Sequence, residues 1–357
     1  MLTHRTPRFL FILFVLGALL GLAGGVFFGG ERAQTATADT PSTGDAGAAP
    51  TEPVHPMSPQ KAGEMGANEL GKIMVLEYHK IGTPASEWTR TPEQFRADIA
   101  LLRSEGFYPI NLRDLASGNI EVPGGKTPVV ITFDDSSPGQ YRILDDQTID
   151  PDSAVGIMEG AVREGEWASR ASFYVLLDVQ PDDHVLFGQP DYQTKKVNSL
   201  VEWGYEVGSH TVTHLNLKKA STEESTKQLA VSKKTIEGMV SAGYQVKTIS
   251  IPFGEYPADD ALLRKGTWED TSYAYVAAVE VTGGAAPSPF STKFDPLHIP
   301  RVIVTGDALS KAIQAFKDDP ALRYISDGDP AAVSVPTGTA DELGTLRSDL
   351  GRPVVTY

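Results

Sequence analysis

The segment VVITFDDSSPG (residues 129–139) ends a run of β-branched and aromatic residues on two adjacent carboxylates, Asp134 and Asp135. A strand gains nothing from like charges side by side, so they must either meet water or be given work. Further along, HTVTH places the imidazoles of His210 and His214 four residues apart, the spacing that puts both on one face of a helical turn within reach of a single metal ion. The chain has no cysteine, so any metal must be held by His, Asp or Glu. If one aspartate joins the two imidazoles as an oxygen ligand, the other is free to act as a base on a water molecule. The plainer reading makes the aspartates an acidic turn and the imidazoles a solvated surface pair.

Three further groups have the right placement. His79 ends IMVLEYH, with Tyr78 beside it, and IPFG ends another apolar run at Phe253. Tyr78 is a candidate substrate contact, although an aromatic at the end of an apolar strand is more often a wall residue.

The elements that carry these groups alternate. TPEQFRADIALLRSEGF has a capping threonine, a proline at the first helical position and Phe95, Ile99 and Leu102 at helical spacing. TPVVITF, ASFYVLL, YEVGSH, QVKTISIPFG, YAYVAAV and IPRVIV read as strands. IMEGAVREG, KKVNSLVEWG, TEESTKQLAVSKKTIEGMVSAG, ADDALLRKG and GDALSKAIQAF read as helices between or after them. This alternation predicts an α/β domain of parallel strands with crossover helices. About seven strands suit either a barrel or an open sheet. In both, ligands bind at the carboxyl ends of the strands, where His79, Asp134, Asp135, His210 and Phe253 fall.

Bulk properties narrow the class. A net charge of −15 over 357 residues excludes a nucleic-acid binder, which needs clustered Lys and Arg. Residues 9–28 (FLFILFVLGALLGLAGGVFF) are apolar, uncharged and long enough to span a bilayer, with Arg5 and Arg8 before them. The expectation is an N-terminal anchor with the rest extracytoplasmic, the alternative being a secretory signal that is cleaved. Residues 31–70 begin with an Ala-, Thr-, Pro- and Gly-rich stretch containing His55 and read as a flexible linker. The expected organisation is 1–30 anchor, 31–70 linker, 71–319 catalytic domain and 320–357 a tail of undefined role. Nothing in the sequence sets an oligomeric state.

The chain resembles the polysaccharide deacetylases of carbohydrate esterase family 4. TFDD is similar to the first motif of that family, HTVTH to its His-x-x-x-His motif and IPFG to its third motif, while EYHKI and GFYPINLRDL resemble the branch whose domain opens with a Tyr-His pair. The resemblance covers about residues 73–304. It implies a distorted (β/α) barrel with fewer than eight units, and metal-dependent removal of acetyl groups from an N-acetylated polysaccharide at the cell envelope. By position it implies Asp134 as general base, Asp135, His210 and His214 as ligands of a divalent metal (zinc before other ions), a backbone N–H near Phe253 for the oxyanion, and His79 as the acid. His298 in DPLHIPR is the rival acid, and His184 in PDDHVLF reads as a loop residue. Two departures stand out. Ser136 and Ser137 follow the aspartates where glycine is usual, and Ser250 stands where an arginine orients the base, a task Arg301 in IPRV is a candidate to take over. A glycan-binding module without catalysis and an O-acetyl polysaccharide esterase are the alternative functions. A phosphate-ester hydrolase would leave the imidazole pair idle.

Overall fold

The structure, a computed structural model, describes residues 57–178, 185–241 and 243–357. The apolar run at 9–28, His55 and His184 lie outside the described residues. Among the described residues no helix is long and apolar enough to cross a membrane.

Eight strands form the principal sheet: β1 Met74–Tyr78, β2 Phe107–Ile110, β3 Thr127–Phe133, β4 Ser172–Val175, β5 Glu206–Ser209, β6 Thr248–Ser250, β7 Ala277–Gly283 and β8 Ile299–Ile303. All pairings between them are parallel. β1 bonds to both β3 and β8, which closes a ring of seven strands in the order β1-β3-β4-β5-β6-β7-β8; β2 is attached to β3 outside the ring. The barrel reading is therefore the correct one.

The helices follow the sequence closely. α1 Pro92–Ser104 carries a capping box from Thr91 and Gln94, and α4 Thr222–Gly238 is capped by Ser221. Between them lie α2 Ala154–Glu164 and α3 Gln193–Trp203, and α5 Ala308–Asp318 follows β8. One strand begins late. YAYVAAV yields its first residue, Tyr273, to an antiparallel hairpin, Gly266–Trp268 with Thr271–Tyr273, and β7 proper starts at Ala277.

Strand residues alternate between two cores, as a pleat of period two requires. Met74, Leu76, Tyr78, Val129, Ile131, Phe133 and Ile249 face the helices. Val75, Val130, Tyr174, Val279 and Ile299 face the inside of the ring. This parity fixes the site: Glu77, His79, Asp134, Ser250 and Arg301 fall in register with the inward set, and Tyr78 and His298 with the outward set.

The folded body reaches beyond 71–319 at both ends. A helix at Pro59–Met65 and short parallel strands Val333–Val335 and Val354–Thr356 belong to it. Leu70, Ile73, Tyr324, Val333, Val335 and Leu343 join the inner core at the amino ends of the strands. Residues 57–70, expected in the linker, thus belong to the folded body, and the 320–357 segment is a floor for the barrel, because its apolar side chains seal an end that the strands leave open. Gly71 lets the two chains cross: a Cβ there would lie 2.3 Å from the Tyr324 backbone nitrogen.

Candidate metal centre and catalytic cavity

A cavity of about 480 Å³ opens at the carboxyl ends of the strands, lined by Glu77, His79, Trp88, Asp134, Asp135, His210, His214, Ile251, Phe253 and Val281 among others. Within it the Nε2 atoms of His210 and His214 lie 3.4 and 3.8 Å from Asp135 Oδ1. One ligand atom from each of these three residues falls within 4.8 Å of the others, a set that can close on one cation. The imidazoles do not ride on a helical turn. Residues 211–213 form a turn; Thr211 within it and His214 just after it take positive φ, and this brings the rings edge to face at 4.8 Å. The Nδ1 atom of His210 is 2.8 Å from the Ser250 carbonyl, which fixes the tautomer and turns Nε2 toward the other ligands. The donor set of two imidazoles and a carboxylate suits zinc or a similar divalent ion.

Asp134 is treated differently from its neighbour. It is buried, and both its oxygens accept from Arg301: Nη1 to Oδ1 at 3.0 Å and Nη2 to Oδ2 at 2.8 Å. The Ser250 hydroxyl donates to Oδ2 at 2.8 Å. Burial alone would raise this carboxyl, but the Arg301 and His210 charges overcome it and hold the group well below the usual carboxylate range. Asp134 therefore stays ionised. Arg301 sits inside the ring because β8 presents it on the inward parity, and its guanidinium meets Asp134 beside Ser250 of β6.

Glu77, which the sequence reading passed over, lies under this pair. Its Oε2 is 2.9 Å from Arg301 Nη2 and its Oε1 is 3.7 Å from His79 Nδ1. Burial, opposed by Arg301, pushes its carboxyl up to about 8. The signal for it was present: a lone acid inside an apolar strand, two positions before His79 and hence on the same face.

His79 reaches the cavity, with Nε2 3.9 Å from Asp135 Oδ2. Burial lowers its proton affinity, and the two aspartates partly restore it. The serines after the aspartates are structural ties. Ser136 takes positive φ and its Oγ accepts from the Leu176 N–H, while Ser137 donates to the His79 carbonyl. Gly139 follows because a Cβ there would meet the Ile81 carbonyl oxygen.

Phe253 lies on the rim with φ +61° and its ring 4.3 Å from that of His214. Asp135, Ser136, Thr211, His214 and Phe253 all hold positive φ, a concentration of strained backbone at the mouth.

Two expected site residues lie elsewhere. Tyr78 points to the helix side, packs against Phe95 and Phe133 and donates to Asp98, so it is a wall residue and not a substrate contact. His298 is outside the ring: Nδ1 is 2.7 Å from Glu280, Nε2 is 2.7 Å from Asp260, and Tyr256 stacks on its ring. Both are on the outward parity of their strands, which rules out His298 as the acid.

Residues 166–265 match the polysaccharide deacetylase family. No curated protein matches the sequence. Among solved structures, IcaB from Ammonifex degensii is 19% identical with a TM-score of 0.51, covering 68% of this chain and 96% of its own. The deacetylase PplD of Streptococcus pyogenes, solved with acetate, is 20% identical with a TM-score of 0.50 over 68% and 97%. A polysaccharide deacetylase from Bacillus cereus is 21% identical with a TM-score of 0.50 over 68% and 69%. At these identities the structural likeness establishes the shared fold.

Proposed function

We propose that this chain, which carries a polysaccharide deacetylase domain, hydrolyses the acetamide of N-acetylated sugars in an envelope polysaccharide, releasing acetate and leaving a free amine. One observation supports the reading above the rest: Asp135, His210 and His214 converge as a ligand set while the adjacent Asp134 is kept ionised by Arg301.

Asp135, His210 and His214 would hold a divalent ion, zinc first. When bound, the ion supplies Lewis acidity toward the acetamide carbonyl and the attacking water. Asp134 accepts the proton of that water, its lone pairs aimed by Arg301 and Ser250. The Phe253 backbone N–H donates to the carbonyl oxygen as negative charge grows there. Protonated His79 gives its proton to the leaving nitrogen, as in the Tyr-His branch that the sequence resembles. The apolar run at residues 9–28 would anchor the chain and hold the domain outside the cytoplasm, a placement read by fractionation of the full-length protein.

The test is acetate release from chitin oligomers, poly-N-acetylglucosamine, peptidoglycan and acetylxylan, with zinc and after chelation. Zinc-dependent release from an N-acetylated glycan is expected, with Asp134→Asn slower by about 10²–10⁴-fold. Release confined to acetylxylan would replace the reading with an O-acetyl esterase. No release from any of them would leave a glycan-binding module.

A further inference from the structure

We infer that Trp88 is the platform on which the pyranose carrying the scissile acetamide stacks, so that the cavity selects a sugar ring and not merely an acetamide. This rests on the function proposed above.

Among the described residues Trp88 is one of the few large apolar side chains left exposed, at 41%. Its ring meets that of His79 at 4.8 Å, inclined by 62°, and it lines the same cavity as the ligand set. Its backbone is fixed. The Lys80 N–H donates to the Trp88 carbonyl at 3.0 Å, and Lys80–Ile81 pairs in parallel with Thr89–Arg90. Arg90 is in turn held by Asp98 through Nε at 3.0 Å and donates from Nη1 to the Gly306 carbonyl at 3.1 Å. An exposed indole on so constrained a backbone is presented, not displaced from a core.

The chemistry then decides what it faces. The leaving nitrogen must come within about 3 Å of the His79 ring to take its proton. That nitrogen is bonded directly to the sugar ring. The ring must therefore lie on the His79 side of the ligand set, where Trp88 stands, and its axial C–H bonds give it an apolar face to set against the indole. The acetyl methyl points the other way, toward Ile251, Phe253 and Val281. These belong to the β6 and β7 side of the ring, three and two steps from β1 by way of β8.

The test is calorimetric titration of the zinc-loaded protein with N,N′,N″-triacetylchitotriose, comparing wild type, Trp88→Ala and Trp88→Phe. Loss of the platform should weaken binding about tenfold in Trp88→Ala, while Trp88→Phe, which keeps a ring face, stays within about threefold. Zinc affinity, read against a chromogenic chelator, reports whether the alanine variant keeps its fold. Equal affinity in wild type and Trp88→Ala, or no binding by wild type, overturns the inference. Acetate release by the wild type is read separately. Release with undiminished binding by Trp88→Ala sinks the platform and leaves the deacetylase; platform-dependent binding without release does the reverse.

Discussion

Asp134 at the mouth and Glu69 at the floor are both carboxylates buried inside one small barrel, and they end in opposite states. Asp134 accepts from a guanidinium through both oxygens. Glu69 accepts from the Ser334 N–H at 2.9 Å, the Tyr324 hydroxyl at 3.2 Å and the Asp327 N–H at 3.3 Å, and it forms no ion pair among the described residues. The charge that acts on it is another carboxylate, Asp327. Burial first, and Asp327 second, push Glu69 up to about 8 despite its neutral donors. Hydrogen bonds from neutral groups satisfy a buried acid without keeping it ionised; the guanidinium that grips both oxygens of Asp134 does both, whereas its single contact with Glu77 does not. The protein places its buried arginine beside the acid that adjoins the candidate ligand set and omits one where a carboxyl group only joins two segments.

The comparison can be broken at Arg301. Arg301→Met leaves Asp134 and Glu77 buried without their cation, and the expected cost is about 3–5 kcal/mol in urea unfolding. The acid limb of acetate release should also move to higher pH as the Asp134 carboxyl rises. A variant within about 1 kcal/mol of wild type would mean the guanidinium is not compensating the acids.

The floor gives a smaller effect with a defined sign. Glu69 binds its proton more tightly folded than unfolded, so wild-type stability falls as pH rises from about 4.5 to about 8. Glu69→Gln removes that slope, and its stability relative to wild type should improve by up to about 1.4 kcal/mol per pH unit across the window. Parallel pH profiles for the two proteins would show that Glu69 is already ionised.

The smallest effect is at His298. Both of its ring nitrogens meet carboxylates, which requires the imidazolium, and Asp260 and Glu280 outweigh its partial burial to raise its proton affinity. Stability from this clasp is present at low pH and lost as pH rises through the folded value. His298→Asn should therefore lower Tm at pH 5.5 and leave it nearly unchanged at pH 9, with cavity chemistry unaffected.

Much of the site was legible because strand ends are legible. His79, Asp134 and His210 follow apolar runs that the structure confirms as β1, β3 and β5, and a parallel sheet gathers such ends on one side. Ring closure was not readable, since it depends on β1 pairing with β8, more than 200 residues away. Arg301 could be named as a candidate but not placed, because inward or outward parity is set by register, and register is a tertiary property. The same parity displaced Tyr78, which a one-residue offset from His79 sends to the opposite core. The floor escaped because its strands are three residues long and rich in turn formers on either side, a pattern that local periodicity cannot separate from a loop.

The chain's last residue, Tyr357, donates its hydroxyl to the Ala67 carbonyl and packs by Gly63, so the C-terminus is pinned beside the point where the polypeptide enters the body at Met57. Both exits lie under the barrel, on the side away from the cavity. A resin or label attached through residue 357 would therefore hold this body by its base and leave the cavity open.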